Sequence, residues 1–130
     1  MGIRKVVIVG GVRIPFVKSF TKYKNVSNKD MLTHVLQALV KKYKLQGKRV
    51  DEVALGAVMK HADDWNMARE SVLSSGLAKE TPAYDLQRAC GTSLSAFIQL
   101  ANKIALGQID VGIAAGADSN SDAPLELSKS

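Results

Sequence analysis

Apolar and polar residues alternate in blocks along this chain, and the blocks predict strands and helices in turn. Short apolar runs predict strands at 5–11, 53–58 and 111–117, and the alternation of residues 83–89 predicts a further strand there. Between these runs, apolar residues recur at the spacing of one helix face. Strands that alternate with helices indicate an α/β fold with a largely parallel sheet.

The predicted helices carry recognisable end signals. Ser27 and Asp30 have the spacing of a capping box, which starts the first helix, and Gly47 is expected to end it. Asn66 is suited to cap a second helix, which Gly76 then ends. These signals place two helices between the first three predicted strands.

The last part of the chain predicts a buried helix followed by an uncovered strand. A third helix at 92–106 is apolar on nearly every side, which is typical of a buried helix. After the fourth strand no closing helix follows, so one face of that strand would lack a cover. We therefore expect the 130 residues to be part of a larger α/β protein.

Composition and charge limit the classes of partner. The net charge is +6, with 13 Lys or Arg against 3 acids in residues 1–60. A basic half could attract nucleic acid. However, aromatic residues are only 5% of the chain and none interleave with the lysines to form a stacking surface for bases. A solvated lysine-rich face is therefore favoured, and no nucleic acid partner is expected. No apolar run approaches the roughly 20 residues that span a bilayer, so no membrane partner is expected. A single cysteine favours a reducing, cytoplasmic setting.

That single cysteine, Cys90, lies between the third predicted strand and the third predicted helix. The carboxyl end of a parallel strand is where α/β proteins place their sites. The N–H groups and the dipole of a helix N-terminus stabilise a thiolate and can hold an oxyanion. Gly91 is expected to let the backbone turn tightly there, while Thr92 and Ser93 keep side-chain bulk low next to the sulfur.

Position alone does not decide whether Cys90 reacts or packs. An ordinary thiol, with a pKa of about 8.5, is only a few per cent ionised at pH 7. A helix dipole contributes at most about 2 kcal/mol to the stability of the thiolate, which leaves the thiol only partly ionised, so a partner base is expected. Buried packing is the opposing interpretation. His61 would emerge at the same sheet edge as Cys90, although a structural hydrogen bond is its favoured role. No residues have the spacing of metal ligands.

Four stretches, in order across nearly the whole chain, resemble the N-terminal portion of the thiolases. They are VRIPF at 12–16, NMAR at 66–69, CGTS at 90–93 and AAGADSNSDAP at 114–124. The first two stretches are weak evidence singly. The CGTS stretch, which forms the elbow between the third predicted strand and the third predicted helix, is more specific when it occurs together with the segment at 114–124. Three positions depart from common family residues: Ala115 replaces a glycine, Asp118 replaces a glutamate, and Ser93 stands where many members have glycine.

The resemblance implies a layered α/β fold with helices on both faces of the sheet, and acyl transfer as the activity. Cys90 would attack the thioester carbon or the 3-keto carbon of an acyl-CoA and carry the acyl group as a thioester. CoA would then accept the acyl group, which completes the thiolytic cleavage of a 3-ketoacyl-CoA, or in reverse an acetyl-CoA enolate would attack it in a Claisen condensation. The backbone N–H of Cys90 would contribute to an oxyanion hole. Coenzyme A thioesters would be substrates, and no cofactor is expected.

The resemblance also implies what residues 1–130 lack. The activating histidine and a second cysteine come from C-terminal motifs that are not in this chain, so the chain alone is expected to be inactive. The strand at 83–89 would lie at the interface of a homodimer or tetramer. Two alternatives stay open: a ketoacyl synthase, which also acylates an elbow cysteine, and a non-catalytic basic α/β module that binds anions.

Overall fold

A computed structural model describes residues 2–125 and 127. Its described strands form one parallel sheet in the order β2-β1-β3. The strands are β1 (Glu52–Gly56), β2 (Ala83–Asp85) and β3 (Gly112–Gly116). The predicted parallel α/β arrangement is confirmed for these three strands, each of which is shorter than its apolar run.

Three helices cover the two faces of this sheet. They are α1 (Asn28–Tyr43), α2 (Met67–Ser75) and α3 (Thr92–Ala105). On one face α1 and α2 pack against β1 through the main core, which includes Leu32, Leu36, Val40, Val53, Leu55, Met67 and Val72. On the other face α3 packs through Ala96 and Leu100 against Ala54. The layered arrangement with helices on both faces is thus confirmed, and none of the described helices has the length and apolarity that crossing a membrane requires.

The capping box of α1 forms as predicted, but the helix ends earlier than expected. The Ser27 hydroxyl accepts the Asp30 N–H at 3.0 Å, and the Asp30 carboxylate accepts the Ser27 N–H at 3.1 Å. The helix ends at Tyr43, because Lys44 adopts a left-handed conformation with φ of 54° and its N–H caps the last turn. Gly47, which was expected to end the helix, lies in the following turn with φ of 68°.

The NMAR stretch fixes both the start of α2 and the loop that leads to β2. The Asn66 side chain accepts the Arg69 N–H at 3.1 Å, and Gly76 ends the helix with φ of 93°, so both predicted ends are confirmed. The Arg69 guanidinium donates to the carbonyls of Thr81 at 2.8 Å and Lys79 at 2.6 Å. The arginine therefore holds the chain just before it enters the sheet.

The predicted strand at 5–11 is wrong: the segment is not part of the sheet. Val7 is 68% exposed and Val9 81% exposed, and an apolar cavity of about 1170 Å³ separates the segment from β3. The segment is held near its ends, where the Arg4 N–H donates to the end of α3 and a lysine of α1 donates to the Gly11 carbonyl. A β-branched run favours extended backbone, but a strand also needs a hydrogen-bonding neighbour, and within residues 2–125 and 127 none pairs with this segment.

The prediction that α3 is wholly buried is also wrong. The side of α3 that carries Ala96 and Leu100 is buried against the sheet. On the opposite side Leu94 is 62% exposed and Ile98 48% exposed. Apolar residues on both sides of α3 predict that both sides are suited to burial. Among the described residues, however, the sheet covers only one side of this helix.

Candidate active site

Cys90 lies on the surface at the start of α3, where its thiol is free and exposed. The packing interpretation requires a buried side chain in a core, and Cys90 is not in that position. The preceding strand leaves the sheet after Asp85 rather than at residue 89. The Leu86 N–H still reaches the Leu55 carbonyl at 3.1 Å, after which the chain turns towards the helix.

The turn that presents Cys90 is closed by hydrogen bonds between its own residues. The N–H of Gly91 donates to the Arg88 carbonyl at 2.9 Å, and the N–H of Thr92 donates to the Ala89 carbonyl at 3.3 Å. The Thr92 hydroxyl accepts the Arg88 N–H at 2.9 Å and donates to the Ala89 carbonyl at 2.9 Å. Thr92 thus ties together the chain on either side of the cysteine.

The tight backbone turn is made by Ala89 and not, as predicted, by Gly91. Ala89 has a left-handed φ of 40°, whereas Gly91 has φ of −100°, which any residue can adopt. A left-handed conformation costs a residue with a Cβ roughly 1–2 kcal/mol. We attribute the left-handed conformation of Ala89 to the hydrogen bonds of the Thr92 hydroxyl, since these hold the Ala89 carbonyl and the Arg88 N–H in place.

A recess of about 150 Å³ opens beside the thiol, between the sheet edge and the start of α3. Its walls are formed by Gly56, Ala89, Cys90, Thr92, Ser93, Gly116, Ala117 and Asp118. The two glycines at the strand ends allow this close approach. A Cβ on Gly56 would lie 1.9 Å from the Leu86 carbonyl oxygen, and a Cβ on Gly116 would lie 2.9 Å from the Ser93 Cβ. Of the predicted site residues, Cys90, Thr92 and Ser93 therefore share one recess.

His61 is not among the residues that line this recess. Its Nε2 lies 3.1 Å from the Asp122 Oδ2, on a short 3-10 turn at Asn120–Asp122. The Asp122 carboxylate beside it raises the pKa of His61 above its ordinary value. The geometry is that of an ion pair linking the loop after β1 to the loop after β3.

Two carboxylates at the same sheet edge were not singled out as site residues from the sequence. Asp85 accepts the N–H groups of Met67 at 3.2 Å and Ala68 at 2.6 Å, and it pairs with Lys60 at 2.8 Å. It therefore stabilises the first turn of α2. Asp118 follows β3 and lines the recess. For Asp118 the available signal was an acid directly after a predicted strand, because the carboxyl ends of parallel strands share one edge. Asp85 lies inside the run predicted as a strand, so this signal did not indicate it.

The sequence matches known proteins over nearly its whole length. The family model for the thiolase N-terminal domain matches residues 6–130. The chain is 39% identical over 126 residues to a 3-ketoacyl-CoA thiolase of Photorhabdus laumondii, and this match covers 97% of the chain and 29% of the relative. It is 38% identical over 125 residues to a 3-ketoacyl-CoA thiolase of Vibrio cholerae, and this match covers 96% of the chain and 29% of the relative.

A solved structure has the same fold. The crystal structure of the Bacillus anthracis acetyl-CoA acetyltransferase superposes with a TM-score of 0.90 at 32% sequence identity. The superposition covers 98% of this chain and 32% of that chain. The sequence described here thus spans somewhat less than a third of the length of the proteins that it resembles.

Proposed function

The chain belongs to the thiolase family, and from this membership we propose that it supplies the nucleophile of a thiolase-type acyl transfer. The Cys90 thiolate attacks the carbonyl carbon of an acyl-CoA. A new carbon–sulfur bond forms at Cys90, the bond to the CoA sulfur breaks, and CoA leaves as a thiolate. The acyl group then rests on Cys90 as a thioester, from which CoA recovers it by the reverse step.

The observation that carries the proposal is the exposed thiol at the N-terminal end of α3, beside a recess. A helix N-terminus favours negative charge on the sulfur and on the carbonyl oxygen that it attacks. The N–H groups of Gly91 and Thr92 are already bonded within the turn. As the resemblance to the thiolases implies, we propose the N–H of Cys90 itself as an oxyanion donor.

The proposed step is the acyl-enzyme step and not a complete catalytic cycle. The sequence has one cysteine, so residues 1–130 offer no second thiol to act as acid and base. His61, paired with Asp122 and outside the recess, is not placed to activate Cys90. We therefore propose that this chain by itself exchanges an acyl group between acyl-CoA and CoA, without cleaving a 3-ketoacyl-CoA or condensing two acyl groups. The substrate class of this exchange is coenzyme A thioesters, as the names of the relatives suggest.

Acetylation of the folded chain by acetyl-CoA tests the proposal. Intact-mass spectrometry follows the addition of one acetyl group, with the urea-unfolded chain as the reference for an ordinary thiol. A helix terminus contributes at most about 2 kcal/mol, so Cys90 in the folded chain should react faster by up to about 30-fold. Cys90→Ser should remove the fast phase entirely.

A matched control moves the single thiol to a different place on the same fold. Ser74 is exposed near the C-terminal end of α2, where the helix dipole disfavours a thiolate. The double variant Cys90→Ser/Ser74→Cys should react no faster than the unfolded chain. Equal rates for the thiols at positions 90 and 74, or a folded chain that reacts no faster than the unfolded one, would contradict the proposal.

A further inference from the structure

Asp118 links the two loops that leave the sheet at the edge where Cys90 lies. It follows the last residue of β3 by two positions. Its Oδ1 accepts the N–H of Val58 at 2.8 Å and the N–H of Met59 at 3.1 Å. Both of these residues belong to the loop that follows β1, so one carboxylate oxygen holds two successive N–H groups of that loop.

These bonds extend the pairing of β1 and β3 beyond the last backbone bond. That last bond joins the Ala117 N–H to the Gly56 carbonyl at 3.2 Å. The Asp118 side chain then provides, through its Oδ1, the acceptor for the next two N–H groups of the β1 loop. On its other side Met59 is held by the Asn28 amide, which donates to the Met59 carbonyl at 2.7 Å. The loop is thus fixed between α1 and the end of β3.

The ends of β1 and β3 form one wall of the recess beside the thiol. Gly56, Ala117 and Asp118 line it from the sheet edge, while Cys90 and the start of α3 line it from the opposite side. The distance between the walls therefore depends on how β1 and β3 are held together at this edge. A thioester carbonyl that enters the recess beside the sulfur lies between these walls.

We propose that Asp118 is a positioning residue for Cys90. Through its bonds to Val58 and Met59 it fixes the wall of the recess against which a thioester carbonyl is held. The inference rests on the proposed function of Cys90 and adds to it a residue that acts without touching the sulfur. The required feature is an acceptor oxygen one methylene from the backbone, and not the negative charge.

Two variants separate the acceptor from the charge. Asp118→Asn keeps an Oδ1 acceptor and removes the charge, whereas Asp118→Ala removes both. Asp63→Ala, which removes an exposed carboxylate from the loop after β1, is the control for charge alone. Each variant of the 130-residue chain is examined for hydrogen exchange at the amides of Val58 and Met59, for acetylation of Cys90 by acetyl-CoA, and for its alkylation by iodoacetamide.

Asp118→Ala should lose the protection of both amides and acetylate Cys90 about tenfold more slowly or slower still, because small errors in position are costly for a carbonyl reaction. Its alkylation rate should change by less than about twofold, since alkylation uses no carbonyl group. The Asp118→Asn and Asp63→Ala variants should behave as the unaltered chain does. A merely structural role for Asp118 would lower both reactions together.

Four results would overturn the inference: protected amides in Asp118→Ala, an unchanged acetylation rate in that variant, an equal fall of its acetylation and alkylation rates, or the same loss of acetylation in Asp118→Asn. The failure of the proposed function is a different result, in which the unaltered chain takes up no acetyl group at Cys90 at all. In that event the amide protection of Val58 and Met59 still decides whether Asp118 joins the two loops.

Discussion

Gly56→Ala should destabilise the fold at the point where the elbow meets the sheet. Gly56 is the last residue of β1 and is buried. A Cβ at this position would lie 1.9 Å from the Leu86 carbonyl oxygen and 3.1 Å from the Thr92 Cγ2. Both neighbours belong to the segment that presents Cys90, so neither can move without moving the thiol.

The expected cost follows from the displacement that the new methyl group requires. Ordinary contact begins at 3.4 Å, so a neighbour at 1.9 Å has to retreat by about 1.5 Å. The neighbour is a backbone carbonyl, and Leu86 also donates its N–H to Leu55 at 3.1 Å, a bond that such a shift breaks. Overpacking of about 1–3 kcal/mol together with a hydrogen bond of about 1 kcal/mol gives a loss of about 2–4 kcal/mol in the free energy of unfolding.

Urea unfolding followed by circular dichroism measures this loss, and Gly91→Ala is the matched control from the same turn. The nearest atom to a Cβ on Gly91 is the Arg88 carbonyl oxygen at 3.5 Å, an ordinary contact. Glycine is the better N-cap and alanine has the lower entropy in the unfolded chain, so Gly91→Ala should stay within about 0.5 kcal/mol. Equal stability of Gly56→Ala and the unaltered chain, or an equal loss in both variants, would refute the reasoning.

Two further predictions concern the turn and the loop around it. Ala89→Gly removes the strain of an alanine in the left-handed conformation and should raise the free energy of unfolding by about 0.5–1 kcal/mol in the same assay. A decrease would contradict the claim that Ala89 is strained. The raised pKa of His61 means that its pairing with Asp122 stabilises the fold fully below the ordinary histidine value of 6.5 and that this stabilisation is lost as the pH rises through the raised pKa. The stability difference between the unaltered chain and His61→Gln should therefore shrink with rising pH in unfolding titrations, and a difference that does not depend on pH would contradict the ion pair.

The sequence predicts best those features that are determined by neighbouring residues. Ser27 and Asp30 are three positions apart, and the capping box needs nothing from the rest of the chain. Asn66 and Gly76 mark the ends of α2 for the same reason. The alternation of these helices with the predicted strands was enough to predict a largely parallel sheet, whereas the helices on both of its faces were implied by the resemblance to the thiolases.

Features that depend on distant partners were predicted less well. The run at 5–11 has the composition of a strand, but strand formation depends on a neighbour that its own residues cannot indicate. The role of Asp118 likewise depends on the N–H groups of a loop some 60 residues earlier in the sequence. The tight turn was mispredicted for a local reason instead: Gly91 was the natural candidate, but the turn is made by Ala89, which is held by the hydroxyl of Thr92 only three positions later.

The most direct test of the account is the return of the acetyl group from Cys90 to CoA. The chain is acetylated with acetyl-CoA, freed of excess reagent and incubated with CoA, and the acetyl group is followed by peptide mapping and by the reappearance of acetyl-CoA. The account predicts one acetyl group on the peptide that contains Cys90 and its transfer to CoA with regeneration of acetyl-CoA. Acetyl groups found only on lysines, or an acetylated Cys90 that CoA does not discharge, would contradict the assignment of acyl transfer to this thiol.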